Sequence, residues 1–142
     1  MALNMHRMQV WSGEIDDRPG AAAAKLELLA RADANLEFVF TRPIPGKPDR
    51  VAIFLAPIVG QAQTQVANLA GLSPARDLCM LCVEGTNRCG IGFQIMTRLA
   101  IAGINLRGLS VSSVGDRFAA YLALDSEDSI TQAIQVLANL EN

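Results

Sequence analysis

The sequence repeats itself at a spacing of seventy residues, and this repeat restricts the chain to folds that contain two similar units. Asp17–Gly20, with the sequence DRPG, is matched by Asn87–Gly90, with the sequence NRCG. Asn35 and Asn105 follow these turns at the same spacing, each between a small or apolar residue and a leucine. A spacing that stays constant over several segments indicates two structural copies.

Length and composition suit two small packed units, which we place at residues 1–74 and 75–142. The chain has 142 residues, of which 51% are hydrophobic and 18% charged, a composition that excludes intrinsic disorder. The net charge of −2 gives no electrostatic reason to expect nucleic acid or a membrane as a partner. A mean hydropathy of +0.26 favours apolar surface that is covered in an oligomer.

Each copy has the same predicted order of strand, helix, strand, strand and helix. Short apolar segments bounded by turn residues predict the strands, and apolar residues at helical spacing or strong helix propensity predict the helices. The predicted segments of the first copy are Met8–Ile15, Ala21–Ala32, Leu36–Arg42, Val51–Ala56 and Gly60–Leu69. Those of the second copy are Leu78–Glu84, Ile91–Ala102, Leu106–Ser113, Phe118–Leu124 and Glu127–Leu140.

This order predicts an α+β fold of two ferredoxin-like (βαββα-β) units, with antiparallel sheets and the helices on one face of each sheet. We expect Gly103 to adopt a left-handed conformation at the end of its helix, since glycine does so without steric cost. We also expect Ser126 to cap the last helix.

The turn and the segment after its helix resemble the ACT domain family. Asp17–Gly20 and Ala32–Leu36 carry the resemblance in the first copy, and Gly90 and Ala102–Leu106 carry it in the second. The second copy departs from the family pattern in having Asn87 for the usual Asp, and it has a cysteine for the usual proline. The resemblance implies a stand-alone tandem pair of ACT domains. Such modules regulate metabolic enzymes by binding amino acids or similar small ligands at domain interfaces.

The resemblance assigns ligand binding to the turns and to the asparagines that follow the helices. These candidates are Asp17, Arg18, Gly20, Asn35, Asn87, Gly90 and Asn105. Free N–H groups at a helix N-terminus favour a carboxylate, and Asp17 can pair with an ammonium group that Asn87 can only hydrogen-bond. We expect each asparagine to lie at the same end of its unit as the turn. In the structural alternative, Asp17 and Asn87 cap the helices, the glycines permit close packing and the asparagines are plain turn residues.

The second copy lacks the fourth strand that ends an ACT unit. In the first copy, residues 77–84 serve as its own fourth strand, as the first strand of the next copy, or as one strand shared by both. A bare sheet edge readily pairs with another strand. We therefore expect the open edge to pair with the other copy or with another chain, and the protein to form a homodimer or a higher homo-oligomer.

The remaining reactive side chains give little support to catalysis or metal binding. Cys79 and Cys82 are predicted to point to opposite faces of a strand, and no second pair or nearby histidine completes a zinc site. Cys89 has the setting of a reactive thiol, beside an arginine and near a helix start, although a structural role is the commoner case. We expect no catalytic residue, metal or cofactor, since an enzyme would need perturbed acidic groups around Glu14 or Glu84.

The sequence therefore predicts a non-catalytic regulatory protein that binds an amino acid or related small metabolite. It would signal through its assembly or through a partner metabolic enzyme. The alternative is a regulatory subunit that binds no ligand and docks an enzyme through its sheet edge. We expect a cytoplasmic location, because no signal peptide or membrane-spanning segment is apparent and the cysteines are odd in number.

Overall fold

The structure is a computed structural model that describes residues 3–140. Within that range the chain forms strands and helices in the order β1 (Asn4–Met8), β2 (Trp11–Asp16), α1 (Ala21–Arg31), β3 (Phe38–Ile44), β4 (Lys47–Ala56), α2 (Gly60–Leu69), β5 (Ser73–Pro74), β6 (Cys79–Thr86), α3 (Ile91–Ile101), β7 (Leu106–Val114), β8 (Arg117–Leu124) and α4 (Glu127–Leu137). They divide into two compact units, each built on a four-stranded antiparallel sheet.

The first compact unit, called here the N-terminal unit, spans Gln9–Arg76. Its sheet has the order β3-β4-β2-β5. Alternate residues of the central strand β4, Ile53 and Leu55, are fully buried in the core that α1 and α2 complete. The opposite face of the sheet has no helix packed on it within this unit, and it is called here the open face.

The second compact unit, the C-terminal unit, combines the residues up to Met8 with those from Asp77 onward. Its sheet has the order β1-β6-β8-β7. The core beneath α3 and α4 consists of Leu3, Leu81, Val83, Ile91, Ile95, Leu99, Ile104, Phe118, Ala120, Leu122, Leu124, Ile130, Ala133, Leu137 and Leu140. The predicted fold class, with two ferredoxin-like units and antiparallel sheets, is confirmed.

The edge that was expected to be open in the second copy is occupied by β1, a strand that the sequence analysis did not predict. β1 pairs antiparallel with β6, with Met5 opposite Val83. Arg7 fixes the strand to α4, because its guanidinium donates to the Thr131 hydroxyl at 2.6 Å and to the Glu127 carboxylate at 3.3 Å. Residues 4–7 were missed, and Met8 was assigned to the following strand, because the sequence NMHRM has little strand propensity and no alternation of apolar and polar residues.

The structure also decides between the three expected roles of residues 77–84. β5 pairs with Trp11 and Ser12 and so acts as a short fourth strand for the N-terminal unit. β6 belongs to the C-terminal unit alone, where it pairs with β1 and β8. The units in the structure consequently differ from the expected division at residue 74, because pairing across the chain places the residues up to Met8 with the second copy.

The expected helix ends are found at both predicted capping residues. Gly103 has a φ of 75°, and the Ile104 N–H donates to the Leu99 carbonyl at 2.9 Å across the end of α3. The Ser126 hydroxyl accepts a hydrogen bond from the Ser129 N–H at the start of α4. The helix α4 ends at Leu137, three residues before the predicted end.

Deletion of the residues up to Met8 tests the role of β1. We expect the free energy of unfolding of the C-terminal unit to fall by several kcal/mol, since Leu3 and Met8 are buried and a single large-to-small core change costs about 2–5 kcal/mol. The exposed edge of β6 should also promote self-association. Urea unfolding and size-exclusion chromatography measure both effects.

The matched control is Asn4→Ala, which keeps the backbone ladder and changes an exposed side chain. It should alter the free energy of unfolding by no more than about 0.5 kcal/mol. An unchanged urea midpoint in the deletion variant would contradict the assignment of β1 to this sheet.

Candidate functional site

Both repeated turns end at a glycine in the left-handed conformation, directly before a helix. Gly20 has a φ of 86° and Gly90 a φ of 88°. A Cβ at either position would meet no atom within 4 Å. The backbone conformation therefore requires glycine at both positions. Close packing, which the structural alternative gave as the reason for these glycines, does not require it.

The backbone of each turn is tied to the β-hairpin of its own unit. The Asp17 N–H donates to the Asp49 carbonyl at 2.9 Å, and the Asn87 N–H donates to the Asp116 carbonyl at 2.7 Å. The side chains of Asp17 and Asn87 are exposed and form no hydrogen bond with the residues that the structure describes. The structural alternative in which they cap the helices is wrong, because Gly20 and Gly90 occupy the N-cap positions without a side-chain bond.

The starts of α1 and α3 present backbone amides that are free to bind a ligand. The N–H groups of Ala22 and Ala23 donate no hydrogen bond within residues 3–140, and the same holds for those of Gly92 and Phe93. These donors lie at the positive end of the helix dipole. Each turn can thus hold a carboxylate, with the side chain of Asp17 or Asn87 three residues before the helix cap.

The arginines of the two turns have different partners. The Arg18 guanidinium lies 3.4 Å from the Asp16 carboxylate, and both groups are well exposed. The Arg88 guanidinium donates to the Gln94 side-chain carbonyl at 2.8 Å. Arg18 is therefore held near the turn by a weak surface ion pair and can exchange this partner for a ligand.

Asn35 and Asn105 are exposed and lie beyond the C-terminal ends of α1 and α3. An eleven-residue helix separates each asparagine from the turn of its own unit, and this helix is about 16 Å long. The expectation that turn and asparagine share one end of the unit is therefore wrong. Within one unit, the structure does not bring the two sets of candidates together.

The cysteines do not form a metal site. Cys79 packs against the core on the helix side of β6, whereas Cys82 is fully buried, and in a strand residues three apart face opposite sides. Burial, with a smaller contribution from Glu127, raises the pKa of the Cys79 thiol. Cys89 is exposed. No group of three metal-binding side chains occurs in the described part of the chain.

A concavity of about 670 Å³ lies on and around the open face of the N-terminal unit and contains none of the predicted site residues. Glu14, Arg42, Ala52 and Phe54 are among the residues that line it. The Arg42 guanidinium carbon lies 5.3 Å from the centre of the Phe54 ring, within the range of a cation–π contact. Of these residues, only Glu14 carried a signal in the sequence, as the acid repeated at Glu84.

Glu14 is the centre of an ion-pair network on the open face. It accepts hydrogen bonds from the Lys47 ammonium at 3.0 Å and from the Arg50 guanidinium at 3.3 Å. Arg50 also donates to the Asp16 carboxylate at 2.5 Å. The bonds from Lys47 and Arg50 lower the pKa of the Glu14 carboxyl group, so Glu14 is ionised at neutral pH.

A similar fold occurs in solved structures of low sequence identity. A protein from Bacteroides thetaiotaomicron superposes with a TM-score of 0.75 at 10% identity, over 94% of this chain and 88% of that one. The regulatory subunit of aspartate kinase from Thermus thermophilus has a TM-score of 0.64 at 13% identity, over 96% and 97% of the two chains. Escherichia coli aspartokinase III, in complex with lysine and aspartate, has a TM-score of 0.52 at 17% identity, over 96% of this chain and 33% of the enzyme.

These similarities are similarities of fold, and the fold is the one that the resemblance to ACT domains predicted. At such identities the likeness extends to the fold alone. No protein-family model matches the sequence, and no curated protein matches it. Among the described residues, no helix is long and apolar enough to cross a membrane.

Replacement of Gly20 or Gly90 by alanine tests the geometry of the turns. We expect each change to lower the free energy of unfolding by about 1–2 kcal/mol, because a left-handed conformation is unfavourable for residues with a Cβ. Gly92→Ala is the matched control, since Gly92 lies within α3 and has no atom within 4 Å of an added Cβ. It should stabilise the protein by about 0.5–1 kcal/mol. Equal effects at Gly90 and Gly92 in urea unfolding would contradict the left-handed turn.

The ion pairs of Glu14 predict a pH dependence. The pKa of Glu14 lies below the ordinary value of 4.5 in the folded protein, so these contacts stabilise the fold above the unfolded pKa and are lost as the pH falls through the folded pKa. Carboxyl-carbon NMR should therefore give a titration midpoint below 4.5, and Lys47→Met should raise it. Lys25→Met is the control, because Lys25 donates to the Ala70 carbonyl and should leave the midpoint unchanged. A titration midpoint of Glu14 that is unchanged in Lys47→Met would contradict the network.

Proposed function

We propose that this chain is a non-catalytic regulatory protein that binds an amino acid or a related small metabolite at an interface between ACT-type units. The observation that carries the proposal is the repeated turn, which presents two free helix amides and an unengaged Asp17 or Asn87 side chain. The similarity to regulatory subunits of aspartate kinase supports a regulatory role.

The turn offers complementary partners to the two charged groups of an amino acid. The free amides of Ala22 and Ala23 suit the carboxylate, and the side chain of Asp17 suits the ammonium group. Asn87 offers only a neutral hydrogen-bond acceptor at the second turn. We therefore expect the first turn to bind an amino acid more tightly than the second.

The positions of Asn35 and Asn105 favour a site formed by two units. Because each asparagine lies about a helix length from the turn of its own unit, a small ligand that contacts both must lie where two units meet. The edge strands β3 and β7 carry exposed apolar residues, including Val39, Phe40, Leu109 and Val111. Such edges favour pairing with another chain. Ligand binding and assembly are then linked, because a ligand that binds one assembly state more tightly than another favours that state.

The exposed edges also support a second candidate function, in which the protein binds no ligand and docks a metabolic enzyme. Val114 near the end of β7 is 82% exposed, and Val39 and Phe40 of β3 are each 44% exposed. This arrangement provides apolar contact and unpaired backbone groups for a partner strand. A protein of this kind would bind its enzyme without any effect of amino acids.

A thermal-shift screen against the twenty L-amino acids distinguishes the two functions. A ligand at 100 times its dissociation constant contributes about 2.7 kcal/mol, which should raise Tm by several degrees. Asp17→Ala should abolish the shift, and Asn35→Ala should weaken it. Glu27→Ala is the matched control, because it removes an exposed carboxylate of α1 that lies away from the turn.

A shift that persists in both Asp17→Ala and Asn35→Ala would contradict the proposed interface site for the amino acid that produces it. A screen without any shift would contradict amino-acid binding and favour the docking function. Chromatography of the protein with and without the effective amino acid then measures whether binding changes the oligomeric state.

A further inference from the structure

We propose that the open face of the N-terminal unit carries a separate site for an α-amino acid, formed over Ala52. In this site Arg42 holds the ligand carboxylate and Glu14 accepts from the ligand ammonium group. The site involves no residue of the repeated turns, so it stands or falls independently of the interface site proposed above.

The strand register aligns the three residues in one row across the sheet. Ala52 of β4 lies opposite Glu14 of β2 on one side and opposite Arg42 of β3 on the other. Adjacent strands are about 4.8 Å apart, so the Cα atoms of Glu14 and Arg42 are about 10 Å apart. The short side chain of Ala52 between two long ones leaves a hollow, which forms part of the 670 Å³ concavity.

Arg42 supplies a cation that has no acidic partner. Its guanidinium lies over the Phe54 ring at 5.3 Å and forms no ion pair with any residue of the described range. A guanidinium in cation–π contact with a ring and without an acidic partner retains N–H donors for two parallel bonds to a carboxylate. The structure thus provides an anion-binding group at one side of the hollow.

Glu14 supplies the opposite charge on the other side. Its carboxylate accepts from Lys47 and Arg50, and a carboxylate has about four lone-pair positions in all. Capacity therefore remains for a ligand ammonium group. The guanidinium of Arg42 and the remaining acceptor positions of Glu14 together match the carboxylate and the ammonium group of an α-amino acid.

The rows beside the hollow indicate which ligand side chains fit. On one side Phe54 and Phe40 lie with their ring centres 6.3 Å apart. On the other side Arg50 and Asp16 are paired with each other. An apolar or aromatic ligand side chain gains contact with the phenylalanine rings, whereas a charged one faces groups that are already paired.

The second copy keeps the acid and the alanine but lacks the cation. In the C-terminal unit Ala119 lies opposite Glu84 on one side and opposite Ser112 on the other. The Glu84 carboxylate also accepts from the Asn4 side chain at 3.4 Å. Ser112 occupies the position that corresponds to Arg42 in the first copy, so this row has no cation to bind a carboxylate. The row around Ala119 can therefore serve as an internal control for the site over Ala52.

Isothermal titration of the full chain with L-phenylalanine tests the proposal. We expect saturable binding, and we expect 3-phenylpropionate and phenethylamine, which each lack one charged group, to bind at least about tenfold more weakly. Equal affinity of L-phenylalanine and 3-phenylpropionate would overturn the zwitterion site.

Two variants locate the binding. Arg42→Gln removes the guanidinium from an exposed position, and Ala52→Leu fills the hollow. Each should weaken binding at least about tenfold with unchanged circular dichroism, whereas the matched change Ala119→Leu in the second copy should leave the affinity unaltered. Equal loss in Ala52→Leu and Ala119→Leu, or no loss in Arg42→Gln, would overturn the proposal.

Asp17→Ala separates this site from the interface site. If the open face binds L-phenylalanine, Asp17→Ala should retain that binding and Arg42→Gln should lose it. The reverse result would overturn the site over Ala52 and support the turn. If L-phenylalanine gives no heat of binding at concentrations up to about 10 mM, its binding free energy is weaker than about 3 kcal/mol. That result would overturn the site over Ala52. It would not affect an interface site for another amino acid.

Discussion

Antiparallel pairing of β1 with β6 is the contact on which the C-terminal unit depends. Each repeat contains three full strands and two helices, and a separate segment supplies the fourth strand of each sheet. The C-terminal unit obtains five residues, Asn4–Met8, whereas the N-terminal unit obtains only Ser73–Pro74. As a result β6 is paired on both sides over most of its length, while Gly13–Asp16 of β2 pair only with β4 among the described strands.

The two copies share their backbone requirements and differ in their chemistry. Gly20 and Gly90 are both retained because each turn needs a left-handed residue before its helix. Asp17 corresponds to Asn87, so only the first turn offers a negative charge to a ligand. On the open face Arg42 corresponds to a serine of the second copy. Both differences favour the N-terminal unit as the one that binds charged small molecules.

Much of the fold could be predicted because its signals are local, whereas the site depends on distances that local signals do not contain. The cap at Ser126 and the left-handed Gly103 were predicted correctly from the preferences of single residues. The prediction that Asn35 lies at the same end of its unit as the turn was wrong, although the length of the intervening helix already implied a separation of about 16 Å. Arg42 was missed because only the strand register brings it beside Ala52.

The sequence by itself determined that there are two copies, the order of helices and strands in each, and where the turns need glycine. These properties follow from repeat spacing and from conformational preferences within a few residues. The tertiary structure decided that residues 4–8 complete the sheet of the second copy. It also decided that Glu14, Ala52 and Arg42 form one row, because strand pairing brings together residues that are far apart in the chain.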